Sequence, residues 1–450
     1  MQLYMVNGFP KLLRAKGNLL QHKGNHYNVF LDKCNWLVTV IIQKNLSNNL
    51  PLTEYTSLHS VTLRNYLGTD YYKIVIKVME DCEIIITNNT YSKGRYTKAY
   101  RLTPSALSRG LQKVTVQTTR FENTLRRNME KNYNQTMAEP ILAKVMENVV
   151  RLRIVDDIFA ILDDIVTGEY DYTADEPEYV DTTNEQRLKR YEQYYYAFKE
   201  INDSDSPKNL FESPICFTPV IGKLGRVYHI GASIPRSVRQ IMRTKENELL
   251  YEVDMASAQL SLLTLRWFKS LDTQKTTSAQ LLQEARTCMT LLVTGGFYRY
   301  IIKKSKYCEG LDYPVLKEKI LKTINAKFVP SELNKELTGI FPHFMGYIND
   351  IKKSAGHSKV SHLHQQAESE IFVPVYMELP KERFALLIHD CILVLNEDTH
   401  AVKEKLIARV KALYATVLPQ NVSLDGLFTI KRVSRKDNET YNYRFNQYKD

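Results

Sequence analysis

The chain has no CxxC or CxxH pair, and its six cysteines (Cys34, Cys82, Cys216, Cys288, Cys308 and Cys391) are scattered. That spacing excludes a thiolate zinc site and a disulfide framework, and it fits a reducing compartment. Long apolar runs are missing too. The longest, such as VIIQ after Leu37 and IFVPVYM at 371–377, fall far short of a bilayer crossing. The start, MQLYMVNGFPKLLRAK, has no apolar leader core, so a cytoplasmic location and no membrane partner are expected. Repeats and low-complexity tracts are absent. Acidic residues are in deficit. With 61 Lys and Arg against 50 Asp and Glu, the net charge is +11, which points to a polyanionic partner, most economically nucleic acid.

What is present fits an ordinary globular composition, with 44% hydrophobic and 25% charged residues. At 450 residues the chain is long enough for two or three domains. The clearest compositional break is an acidic and then Tyr-rich stretch, read as a linker or insertion over 151–210. It separates an N-terminal region, 1–150, from a larger region, 211–450. Within the first, TSLHSVTLRNYLG reads as a helix ended by Gly68, and DYYKIVIKVMED as a second with Tyr72, Val75 and Val78/Met79 on one stripe. CEIIITNN and YSKGRYTKAYRLT then read as two strands. Helix, helix and basic hairpin is the order of a winged-helix module. Its wing would carry Lys93, Arg95, Lys98 and Arg101 interleaved with Tyr91, Tyr96 and Tyr100, which suits phosphate contacts with stacking. The alternative is a module used only for packing. Residues 105–155 read as helical, interrupted at Pro140.

Two carboxylates stand out in the larger region. In EVDMASAQLSLL (252–263), Asp254 lies between an apolar strand and an apolar helix, followed by small residues and Gln259. In RFALLIHDCILVLNED (383–398), two apolar runs read as buried strands joined only by His389-Asp390. Tight hairpins favour Asn-Gly, Asp-Gly or Gly-X because they need positive φ, so His-Asp at this corner suggests function over stability. The plainer alternative is an Asx turn. If Asp254 and Asp390 adjoin in one sheet, they can hold a pair of Mg²⁺ ions (Mn²⁺ being the alternative) with substrate phosphates as further ligands.

EVDMASAQLSLL resembles motif A of the family A polymerases, the superfamily of bacterial DNA polymerase I and the phage single-subunit RNA polymerases, and LLIHDCILV resembles motif C. Between them lie TGGFYRYI, the Lys-bearing YPVLKEKILKTINAKF, and SHLHQQAESEIFVPVYMEL, similar to the family's Gln-bearing helix before motif C. Upstream, GRVYHIGASIPRSVRQIMR resembles the family's Gly-Arg segment, so the resemblance spans 222–398. It is nearest to short, exonuclease-less members from phages and mobile elements.

The resemblance implies an α+β fold: a polymerase right hand, with an antiparallel palm sheet and helical fingers and thumb, behind the winged-helix and helical N-terminal region. It implies a DNA polymerase acting on a primer-template and nucleoside triphosphates. Asp254 and Asp390 would be the metal-binding carboxylates and Lys317 the lysine facing the triphosphate. Arg226 would lie near the primer terminus, Gln365 or Gln366 would touch bases in the minor groove, and His389 would support the primer 3′ end. Gln259 falls where the family selects the sugar.

The chain also departs from the family pattern. Tyr313 stands where Arg is usual, Leu321 where an aromatic is usual, and Asn325 at a Tyr position. Cys391 follows motif C's Asp, and Pro374 should kink or end its helix. No acidic exonuclease set precedes residue 200, so proofreading is not expected. The rivals are an RNA polymerase or primase, an untemplated terminal transferase, and a DNA-binding replication protein with a dead polymerase fold.

Overall fold

The computed structural model describes residues 1–15, 25–47, 50–69, 71–88, 98–154, 199–213, 218–234, 239, 241–272, 279–414, 418 and 423–434. The acidic stretch at 155–198 lies outside them, as do Lys93 and Arg95 with Tyr91 and Tyr96. The fold is mixed α and β. Two compact units form, one from residues up to Val220 together with His229–Asn247, the other from Ile221–Tyr228 with Glu248–Ser434.

In the first unit, strand β1 (Gln2–Val6) is followed by helix α1 (Asn25–Ser47). The α1 side chain of Thr39 accepts from the Tyr4 amide at 2.8 Å, tying helix to strand. Beyond it come β2 (Thr56–Ser57), α2 (Ser60–Leu67), α3 (Tyr71–Asp81), β3 (Ile85–Asn88) and β4 (Ala99–Leu102). Helix α2 buries Leu63 and Leu67, and it ends at Gly68, whose φ of 95° needs a residue without Cβ. Helix α3 buries Val75, Val78 and Met79, the apolar stripe that its sequence spells. The three strands form an antiparallel sheet ordered β2-β4-β3. Lys98 is exposed. Arg101, expected to line the wing, instead packs over the Tyr55 ring at 4.7 Å and donates to the Thr53 carbonyl at 3.3 Å.

The segment 105–155, expected to be helical with an interruption at Pro140, contains a strand, β5 (Leu111–Thr115), before α4 (Thr119–Met137), α5 (Pro140–Val149) and β6 (Leu152–Ile154). Strand β5 pairs with β1, so a partner more than a hundred residues away overrides the local pattern. Pro140 begins a helix rather than interrupting one, at a first-turn position where its missing N–H costs nothing. A side chain of α1 fixes the turn that leads into α4. Buried Asp32, on α1, accepts from the Gln117 and Thr118 amides at 3.0 and 2.9 Å and from the Thr118 hydroxyl at 2.6 Å. Strand β7 (Met242–Thr244) pairs with β6.

The second unit is built on β8 (Tyr251–Met255), followed by α6 (Ala258–Asp272), α7 (Ala279–Val293), α8 (Phe297–Lys304), α9 (Tyr313–Asn325), α10 (Pro342–Ala355) and α11 (Ser358–Glu378). The chain then adds β9 (Ala385–Ile388), β10 (Cys391–Val394), α12 (Thr399–Tyr414) and β11 (Phe428–Arg432). The four strands form one antiparallel sheet ordered β9-β10-β8-β11. Leu260, Leu263 and Trp267 of α6 are buried, as their spacing predicts.

Pro374 does not end α11, which runs unbroken to Glu378. A proline at 374 removes the N–H that would bond the carbonyl of residue 370. Here the Glu370 carbonyl accepts from Arg409 Nε of α12 at 3.1 Å, and the Glu370 carboxylate accepts from Arg266 of α6 at 2.7 Å. With Ile371, Phe372, Val375 and Tyr376 buried around it, tertiary packing and a borrowed donor outweigh the broken helical bond.

Candidate nucleotidyl-transfer cleft

The register of the second unit's sheet sets two carboxylates side by side. Asp254 on β8 pairs with Cys391 on β10, and the next amide, of Met255, donates to the Asp390 carbonyl at 3.2 Å. On its other flank β8 pairs with β11, Asp254 opposite Thr429, and the Ala256 amide donates to the Leu427 carbonyl at 2.8 Å. Both carboxylates therefore sit at the same end of adjacent strands, held by backbone bonds from each side.

Both corners carry backbone strain. Among the described residues, four non-glycines have positive φ, and two of them are Ser257 (49°), in the turn after Asp254, and His389 (50°), in the turn before Asp390. His389 thus takes the left-handed conformation that a two-residue hairpin requires, without being the Asn or Gly that takes it cheaply. Such conformations cost about 1–3 kcal/mol each and persist where surrounding structure over-determines them. Here that structure includes the Ile388–Cys391 pair across the hairpin and the Tyr228 ring, edge-on to His389 at 6.1 Å. At the other corner, Ser261 donates its hydroxyl to the Ala256 carbonyl at 2.8 Å. Gly426 is equally constrained, since a Cβ there would lie 2.1 Å from the Val293 carbonyl oxygen.

The carboxylates open into a cleft of about 340 Å³ whose walls include Asp254, Gln259, Asp390, Tyr298 and, across from them, Tyr313, Lys317 and Leu321 of α9. Positions 313, 317, 321 and 325 form one stripe of α9, running beside the buried row of Leu316, Ile320 and Ile324. At the end of the stripe, Asn325 donates to Gln259 Oε1 at 2.8 Å and accepts from the Ser361 hydroxyl of α11 at 3.1 Å. Gln259, expected at the sugar-selecting position, and Asn325 thus bond each other. Tyr298 is buried beneath Tyr313, edge-on at 5.0 Å. Burial pushes its phenol up, with the Ser257 hydroxyl pulling the other way.

Arg226 is not in the walls of this cleft. Gly225, at φ 82°, lies where a Cβ would come 3.2 Å from Ser369 Cβ of α11, and that close approach delivers Arg226 to Glu368. The guanidinium bonds Glu368 through Nε at 2.8 Å and through a second nitrogen. Burial raises the Glu368 carboxyl to about 7, outweighing Arg226, and Asp390 adds a further upward push. His364, one turn earlier, is buried and lowered to about 4, first by burial and then by Arg226. Gln365 and Gln366 occupy the same helix, half-buried and exposed, and neither lines the cleft.

The structure therefore brings together Asp254, Asp390, Lys317 and Gln259, and places Arg226 and His389 on neighbouring elements. Sequence reasoning missed Glu368 and Tyr298, for which helical burial was the only signal. It also missed Thr429 and Lys431 of β11, which line the cleft and lie beyond the last motif. Lys431 approaches Asp254 Oδ2 to 3.6 Å. Among the described residues, no group of three or more His, Cys, Asp or Glu could hold a metal ion. Two adjoining carboxylates opening into a polar cleft are a donor set suited to Mg²⁺, which keeps waters and substrate phosphates as its other ligands. No described helix is long and apolar enough to cross a membrane.

No family model and no curated protein matches the chain. Among solved structures it is similar to the POL domain of Pol1 from M. smegmatis, in a complex with DNA primer-template and dNTP. The identity is 12%, with 87% of this chain and 81% of that chain covered, at a TM-score of 0.36.

Proposed function

We propose that the protein is a nucleic-acid-templated nucleotidyltransferase, a DNA polymerase without proofreading, built as a polymerase right hand behind a winged-helix-like nucleic-acid-binding region. One observation carries this: Asp254 and Asp390 adjoin at one end of neighbouring central strands and line a single cleft with Lys317. Asp254 and Asp390 would hold the two Mg²⁺ ions. Bound there, the ions would favour the ionised 3′-hydroxyl and stabilise the attacking and leaving oxygens. In the reaction, the 3′-oxygen forms a bond to the α-phosphorus as the bond to the bridging oxygen breaks, and pyrophosphate departs. Lys317 neutralises charge building on that leaving group, a task suited to a compact ammonium on an exposed helix face. The exposed Tyr313 ring, backed by Tyr298, offers the base an apolar face near the Leu321 position. His389 and the Arg226–Glu368 pair shape the approach to Asp390, and Gln365 or Gln366 reaches the duplex.

In the first unit, Lys98 is the described member of the basic hairpin that would touch phosphates, together with Lys93 and Arg95. The order α2, α3, three-stranded sheet supports that reading.

Primer extension with Mg²⁺ and each dNTP and NTP tests the proposal. Template-directed dNTP incorporation is expected, lost on Asp254→Ala or Asp390→Ala while nucleic-acid binding is kept. Synthesis retained by either variant would overturn it. The Gln259–Asn325 amide pair favours one second reading, an RNA polymerase or primase, because neither side chain is the one the DNA polymerases of the family carry. Preferential NTP incorporation would select it, and binding without any incorporation would select the dead-fold alternative.

A further inference from the structure

The cleft contains a cation that the polymerase reading does not use. Strand β11 pairs with β8 so that Thr429 lies opposite Asp254 and Lys431 opposite Glu252, and period-two alternation puts both on the Asp254 side of the sheet. From there Lys431 turns back along the strand and sets its Nζ 3.6 Å from Asp254 Oδ2. Lys431 and Lys317 both line the cleft with Asp254 and Asp390, so the formal charges of these four groups balance.

We propose that Lys431 is a built-in counter-cation of Asp254 which a divalent ion must displace, so that Lys431 sets how much metal the site requires. This rests on the metal-binding reading of Asp254 and Asp390. A side chain with this task must be charged, close and easily moved. Lys431 is 49% exposed and Asp254 26%, so the pair is solvated and the ammonium withdraws at little cost. A lysine on a flexible stem suits this better than an arginine, whose planar fork would chelate the carboxylate. The backbone of Asp254, by contrast, is fixed by the strands on both sides. The ion arriving at Asp254 repels Lys431 as well as replacing it, and the released ammonium stays within the cleft, where a polyphosphate would meet it. Lys431 is thus a positioning residue that acts through Asp254.

Manganese binding measured by electron paramagnetic resonance, on the full chain without nucleotide, reads this directly. Lys431→Gln should tighten Mn²⁺ binding roughly three- to tenfold at low salt, with a smaller gain as salt screens the charge. Lys431→Met should do the same, and Lys431→Arg should not tighten binding. In an Asp254→Asn background, Lys431→Gln should make no difference. If the wild-type protein binds Mn²⁺ and Lys431→Gln leaves its affinity unchanged, this inference alone falls. Equal tightening in the Asp254→Asn background also overturns it, because the effect would then be general surface charge. If the wild-type protein binds no Mn²⁺, the metal-binding reading falls with it.

Discussion

The cleft has two walls made in different ways. The sheet wall presents carboxylates from strand ends that the antiparallel ladder fixes on both flanks, with Val253, Ile392 and Leu393 fully buried behind them. The helix wall presents Lys317 and Tyr313 from an exposed face of α9, secured at its end by side chains, Asn325 to Gln259 and to Ser361. Backbone bonds hold the strands of the negative groups, whereas the helix of the positive one is held by the packing of Leu316, Ile320 and Ile324 and by the bonds of Asn325 at its end. On the proposed reading, the metal ligands would be the groups fixed by the strands, and the group meeting a mobile triphosphate would ride on the helix.

That contrast can be broken from either side. The largest effect is expected at the sheet wall, where Asp254→Asn or Asp390→Asn should reduce primer extension to background without changing the melting temperature much. Lys317→Ala should slow incorporation by roughly 10²–10³-fold, the usual cost of one preorganised electrostatic partner, and pre-steady-state extension checks it. Equal losses at the two walls would remove the distinction between them. Next, Glu368→Ala leaves Arg226 without its partner and should cost about 3–5 kcal/mol in urea unfolding. Asn325→Ala should cost only about 1 kcal/mol of stability yet weaken nucleotide affinity, because it frees the end of α9; an unchanged KM would count against this account of the helix wall. The smallest effect is a pH slope. Glu368 is raised from 4.5 to about 7 in the folded state, so its contribution is complete below pH 4.5 and lost as pH rises through 7. Unfolding free energy should decline across that window, and Glu368→Gln should remove that part of the slope.

Local elements were readable because their signals are local. Gly68 ended its helix, and Val75, Val78 and Met79 faced inward together. The apolar runs around His389-Asp390 became paired strands. Failures came where a distant partner intervened. Leu111–Thr115 became a strand because β1 was there to receive it, and α11 passed through Pro374 because Arg409 supplied a donor to Glu370. In sequence Arg226 reads as a residue near a primer terminus, and the close approach of Gly225 to α11 is what brings it to Glu368.

The sequence by itself determined the chemistry available: two lone carboxylates at strand ends, a lysine on a helix between them, and an excess of positive charge. Those follow from residue type and short-range periodicity, which need no partner to be read. Tertiary structure alone decided that Asp254 and Asp390 lie at one end of neighbouring strands, that Gln259 bonds Asn325, and that Lys431 reaches Asp254 from a strand beyond the last motif. Strand register and helix packing are long-range choices, fixed by which buried surfaces fit together, and no local stretch of the chain encodes them.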